Sequence, residues 1–361
     1  MKNTYIIILA CAVLLAVMSC KKHAPVDPIA TPAKWKQIAI PYTDGPNYIA
    51  QIQGMLFTSV DTGYALGNHF YYPNGTLGTP FLRTTDGGET WTLDTIKISN
   101  CVVTKLESYG NYLYAIGAFN VSGATFKIQL YRSGDHAKTW QIINSTYPIG
   151  DIHFFDQNNA TAISGDSTST TNNGGINFST AFIGPAVGHL SCIGNSCYVS
   201  GGQAFDGISH GDMIKTTNSG ATWQTVTFNS SSFPEIVQHC FLDQNNGYAL
   251  IYLQTGSIAA ITSQDFKLIK TTDGGSSWTI VRSGMANDFG DIVDFHFLDN
   301  LNGYMISTSA IYSTSDGGAN WQKEFDGSTY TSDHQTFFYL YFTPGNIGFA
   351  YGSGVLFKQV K

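Results

Sequence analysis

Hydrolysis of a glycosidic bond needs two carboxyl groups about 5 to 10 Å apart, one to protonate the leaving oxygen and one to attack or to activate water. The 361-residue chain has 25 acidic residues, of which Glu89, Glu107, Glu235 and Glu324 are the glutamates. Asp86, Asp135, Asp273 and Asp316 fall inside a recurring octapeptide that ends in tryptophan, and Asp61, Asp156, Asp243 and Asp299 fall in hairpin turns. Those eight have structural work. Of the rest, those singled out are Asp206 in the stretch Gln203 to His210, Asp265 in a long insertion, and Asp288, Asp291 and Asp294 around Phe289, all read as loop carboxylates on one rim. Asp206, Asp288, Asp291 and Asp294 are therefore the candidate catalytic acids. Arg83, Arg132 and Arg282 are the only arginines, hence the only possible clamp for a substrate carboxylate. His69, His136, His153, His210 and His296 show no HxH or HExxH spacing and read as surface or hairpin residues, so no metal is expected. No Gly-x-Ser-x-Gly, phosphate loop or dinucleotide fingerprint occurs, and no cofactor is expected.

Composition narrows the partners. Hydrophobic residues at 43% and aromatics at 14% can fill a large core, whereas charged residues make up only 12% and the net charge is -7. With no basic stripe to neutralise phosphates, nucleic acid is excluded as a partner. Lys2, the apolar run Tyr5 to Met18 and Val17-Met18-Ser19-Cys20 read as an export signal over 1–19. The ending resembles a bacterial lipobox, in which Cys20 is acylated and becomes the new N-terminus. Several acyl chains suffice for stable anchoring, and residues 20–33 would then be a spacer. In an exported protein Cys192 and Cys197, which flank Ile-Gly-Asn-Ser, could sit opposite one another in a hairpin as a disulfide. The state of Cys101 and Cys240 is left open.

These residues must be held by something, and the tryptophans show what. Four of six close the pattern [ST]-x-[DN]-x-G-x-x-W, Asp86 to Trp91, Asn218 to Trp223, Asp273 to Trp278 and Asp316 to Trp321, and a fifth closes a copy from Asp135 to Trp140 with Ala137 at the glycine position. The Asp or Asn side chain can cap backbone N–H groups while the glycine supplies a positive φ, so each octapeptide reads as a turn between two strands. Upstream of each lies a hairpin of apolar alternation, such as Cys240-Phe-Leu-Asp243 to Gly247-Tyr-Ala-Leu250. Hairpin plus turn makes four strands, one propeller blade. The interval from Trp140 to Trp223 is 83 residues against 43 to 55 elsewhere, and Asn173 to Phe178 supplies a degenerate box within it. Trp35 begins a strand with no box before it, while Val355 to Lys358 resembles a strand that precedes one. The N-terminal strand is thus expected to complete the last blade, giving an all-β, seven-bladed propeller over 34–361.

The octapeptide is the Asp box of bacterial neuraminidase repeats. Together with the Gly-Tyr-Ala hairpins it resembles the photosystem II stability and assembly factor family of seven-bladed propellers, and more distantly sortilin-type and sialidase propellers. The photosystem members imply partner binding through an arginine patch, which three arginines do not supply. Sialidases imply an arginine triad, yet Arg83, Arg132 and Arg282 read as edge residues of third strands. The loops instead gather aromatics, with Phe70, Tyr71, Tyr72, Phe205 and His210 as the candidate rim-binding residues. The expectation is a lipid-anchored, non-enzymatic, monomeric scaffold or assembly-factor-like propeller of the bacterial cell envelope, at the outer membrane, that binds a protein or glycan. The alternative is a glycan-active hydrolase using the loop carboxylates.

Overall fold

The computed structural model describes residues 34–41, 51–67, 70–71, 77–94, 98, 101–122, 125–165, 167–183, 188–201, 213–226, 234–257, 260–327 and 336–360. Cys20 and the residues expected to form an export signal and spacer, 1–33, lie outside them. No helix among the described residues is long and apolar enough to cross a membrane.

The described strands form seven four-stranded antiparallel sheets, the blades of a propeller. In chain order the blades span 52–94, 101–144, 151–183, 188–226, 234–282, 292–326 and 336–360, the last completed by Lys34–Gln37. First strands of consecutive blades neighbour one another around the whole ring, so they are innermost and the fourth strands outermost. Second strands have blades on both sides and are buried along their length, as in Gly63–Gly67, whereas a fourth strand such as Thr92–Asp94 is largely exposed. That is why Tyr-Ala-Leu recurs there without polar alternation. The core is correspondingly divided into seven clusters that follow the seams. One joins Tyr64 and Phe81 to Leu106 and Leu113, and another joins Tyr248 and Leu268 to Phe295 and Met305.

Each octapeptide folds alike. In blade 1 Thr84 Oγ1 donates to Asp86 Oδ1 at 2.7 Å and accepts from Gly88 N at 2.9 Å, while Asp86 accepts from Thr90 N at 3.0 Å. Ser133 with Asp135, Thr171 with Asn173, Thr216 with Asn218, Thr271 with Asp273 and Thr314 with Asp316 repeat the arrangement. These donors hold the carboxyls of Asp135 and Asp273 down at about 2, first through the hydroxyls of Thr139 and Ser277. Trp223, Trp278 and Trp321 turn their indole N–H back onto the box glycine carbonyl at 2.9–3.1 Å. In blade 3 Phe178 takes the tryptophan's place and stacks on Tyr147 at 5.2 Å.

Closure follows from register. Lys34–Gln37 pairs with Leu356–Val360, with Trp35 opposite Gln359 and Lys36 opposite Lys358. Phe349 faces Lys358 as Tyr64 faces Arg83, and Arg83 faces Thr92, the residue after Trp91. Trp35 therefore stands at the place of a box tryptophan, supplied from the far end of the chain.

Candidate functional site

The first strands of blades 1, 2, 5, 6 and 7 each carry a bulge, at Gln53, Thr104, Val237, Val293 and Phe338. A bulge re-aims the side chain that follows it. By register the residue at one height around the axis is Gly54, Lys105, Asp151, His189, Gln238, Asp294 and Tyr339 in blades 1 to 7. Two residues on, the next tier is Leu56, Glu107, His153, Ser191, Cys240, His296 and Tyr341. The buried carboxylates Asp151 and Asp294 stand on the first of these tiers.

The groups tie blade to blade. Lys105 Nζ lies 2.9 Å from Asp151, joining blades 2 and 3, and His153 Nδ1 lies 3.3 Å from Glu107 one tier along. His239 is 3% exposed, its Nε2 2.6 Å from Ser191 Oγ and its Nδ1 2.9 Å from Ser200 Oγ, so blade 5 is sewn to blade 4. Asp294 accepts from Gln238 Nε2 at 3.0 Å, from Leu340 N at 2.8 Å and from Phe295 N at 2.8 Å, linking blades 5, 6 and 7. Phe57 N of blade 1 donates to Tyr341 Oη of blade 7.

Burial sets the charge states. It raises Asp294 to about 6 against the pull of its three donors. It lowers His239 to about 3, with His189 adding to the effect, and His296 to about 4. For Lys105 burial works downward, but Asp151 outweighs it and the ammonium is held above its ordinary value. A carboxylate whose lone pairs are taken by three donors, and imidazoles kept neutral in serine and aromatic surroundings, have little capacity left to exchange protons with a substrate. The axial groups work as cross-blade ties.

The structure moves several residues from their expected places. Asp294 is not on a rim loop but buried in the first strand of blade 6, 7% exposed. Asp265 is in the third strand of blade 5, where it accepts from Gly284 N at 3.0 Å. Asp288 sits on the short helix Met285–Phe289 and pairs with Arg282, and Asp291 is exposed just before blade 6. Arg282 ends the fourth strand of blade 5, unlike Arg83 and Arg132 on third strands, and stacks on Phe289. His153 and His296 are hairpin residues as expected, each on the first strand of its blade. Cys192 and Cys197 form a disulfide across a two-stranded pair, and Cys101 and Cys240 are buried free thiols raised to about 11 by burial. Phe70 and Tyr71 form a strand with Leu77–Gly78. Tyr72, Phe205, Asp206 and His210 lie outside the described residues.

Sequence reading missed the axial tiers. Their one signal is position: each first-tier residue faces the residue three beyond the start of the Gly-Tyr-Ala-Leu segment or its equivalent, as Gln238 faces Leu250.

The sequence matches no known protein-family profile and no curated protein. Among solved structures it is similar to YCF48 bound to a D1 peptide, with 18% identity, a TM-score of 0.63 and coverage of 92% of this chain and 97% of that one. YCF48 from Cyanidioschyzon merolae aligns with 18% identity and a TM-score of 0.64 over 91% and 99% of the two chains. The GH74 enzyme of Niastella koreensis aligns with 15% identity and a TM-score of 0.58 over 84% of this chain but 51% of its own. At these identities the likeness is one of fold.

Proposed function

We propose that the protein is a lipid-anchored, non-catalytic propeller of the bacterial cell envelope that binds a partner protein, in the manner of an assembly factor. The observation that carries this reading is the engagement of the axial acids. Asp294 and Asp151 bond to neighbouring blades, Glu107 lies 3.3 Å from His153 Nδ1 of blade 3, and Asp288 pairs with Arg282. That stiffens a scaffold and leaves recognition to the rim loops. The near-complete overlap with a YCF48 bound to a D1 peptide supports a peptide segment as the class of partner. The GH74 likeness covers only about half of that enzyme, and of the described acids of the hydrolase alternative Asp294 points into blade seams while Asp288 pairs outward.

Crosslinking in intact cells followed by purification of the full chain tests the reading. A discrete envelope protein recovered in stoichiometric amount is the expected result, and recovery of the chain alone would sink it. Cys20→Ala should in addition move the protein from the membrane to the soluble fraction and abolish lipid labelling. Unchanged fractionation would remove the anchor from the proposal.

A further inference from the structure

The seam between blades 3 and 4 is built unlike the others. At five seams a second-strand ring of one blade meets a first-strand ring of the next: Phe349 with Phe57 at 5.3 Å, Tyr114 with Phe154 at 3.9 Å, Tyr198 with Phe241 at 3.4 Å, Tyr248 with Phe297 at 3.7 Å and Tyr304 with Phe342 at 5.2 Å. The seam of blades 1 and 2 keeps one of the two, Tyr64. At the blade 3–4 seam the equivalent residues by register are Thr161 and Cys192, and no ring stands on either side. Cys192 is instead tied to Cys197.

The boxes that border this seam differ too. Asn173 and Asn218 hold the place that aspartate holds in the other four boxes, and blade 3 has Phe178 for tryptophan. Box glycine Gly220 settles over Thr161 and Thr170, where Gly88, Gly175 and Gly318 meet phenylalanine or leucine. A cleft of about 450 Å³ lies beside it. That volume falls within the range of about 300–1,000 Å³ usual for small-ligand sites.

We infer that this cleft binds a neutral carbohydrate. Asn172, Asn177 and Asn195 line it with exposed carboxamides that make no hydrogen bond among the described residues. A carboxamide donates and accepts at once, which matches the hydroxyls of an uncharged sugar. Phe155 adds an aromatic surface for the C–H face of a pyranose. Asp156 is the one charged residue of the lining, and its carboxylate is capped by Asn158 N, Asn159 N and Asn159 Nδ2 at 2.7–2.8 Å. An anionic ligand would find no cation there, and a cationic one no free carboxylate. Asparagine at Asn218, which lines the cleft, removes the further negative charge that the repeat would otherwise place there.

This site goes beyond the protein-binding reading and does not depend on it. The test is calorimetric titration of the full chain, held in a sugar-free detergent, with cellohexaose, xylohexaose and mannohexaose, and with hexagalacturonate as the charged comparison. Saturable binding of at least one neutral hexasaccharide is expected, weakened at least tenfold in Asn177→Ala/Asn195→Ala at unchanged melting temperature. Asn218→Asp gives a second check: four other boxes fold with aspartate, so the fold should hold while binding weakens severalfold. No neutral binding, equal binding of hexagalacturonate, or full binding by both variants would each overturn the inference. Partner crosslinking by Asn177→Ala/Asn195→Ala reports separately on the protein-binding reading, since that variant should still capture its protein.

Discussion

Asp294 shows how a single residue can carry a load that its neighbours in sequence do not disclose. It is buried, paired with no cation among the described residues, and held by three N–H donors from blades 5, 6 and 7. Burial lifts its pKa to about 6 in the folded protein, whereas an unfolded aspartate titrates at about 3.9. A raised carboxyl favours the folded state at low pH: its contribution is fully present below the unfolded value and is lost as pH rises through about 6. Asp294→Asn removes this dependence. The stability of the wild type relative to that variant should therefore be flat above pH 7 and rise by about 1.4 kcal/mol per pH unit between 6 and 4. His239 and His296 work the other way, because their folded values near 3 and 4 lie below the unfolded one and their contribution fades as pH falls below about 6.5. Both proteins share that loss, so it cancels in the comparison. Urea titrations of the two proteins from pH 4 to 8 decide the point, and parallel curves would show that Asp294 is not the titrating tie.

At the scale of the element, the box turns explain why the glycines stand where they do. Gly318 has φ +93°, and a Cβ there would lie 2.3 Å from Leu268 Cδ2 of the preceding blade. Gly110 has φ +58° in a hairpin turn with nothing within 4 Å. Gly110→Ala should cost only the backbone strain, about 1 kcal/mol, whereas Gly318→Ala adds overpacking of about 1–3 kcal/mol. Denaturant midpoints measure both, and equal losses would mean that seam packing does not constrain the box. The same elements show what can be read from the chain. Box and hairpin repeat by residue type, so Trp91, Trp278 and Gly247-Tyr-Ala-Leu250 disclose the blade directly. The axial tier repeats only by register: Lys105, Asp151, His189, Gln238 and Asp294 share a position and no chemistry. The bulge at Val293 also breaks the two-residue alternation that marks a strand, which is why Asp294 reads as a loop residue in sequence. Arg282 misleads for a related reason, since it lies close to a box but after it, on the outermost strand.

For the whole molecule the decisive contact is the one between the chain's two ends. Blade 7 receives its fourth strand from Lys34–Gln37, and Glu89 in the box of blade 1 accepts from Lys358 and pairs with Lys36, so blades 7 and 1 are clamped across the closure. Trp35 is 9% exposed and packs edge-on to Tyr304 of blade 6 at 6.0 Å. A box tryptophan is held by its own turn, through bonds such as Trp278 Nε1 to Gly275 O. Trp35 has no such turn, and its strand is retained by pairing, packing and the Lys36–Glu89 ion pair. Trp35→Ala should therefore cost about 3–5 kcal/mol, the usual loss for a buried tryptophan, and should release the strand as a unit. Once it leaves, Leu356–Val360 becomes an open sheet edge, and an open edge recruits a strand from another chain. Amide exchange should accordingly rise first over residues 34–37 and 356–360 in Trp35→Ala, and size-exclusion chromatography should show concentration-dependent dimers. Trp278→Ala destabilises blade 5 without freeing an end, so it should lower the melting temperature while the protein stays monomeric. If both variants oligomerise alike, the ends do not form the weak point of the ring.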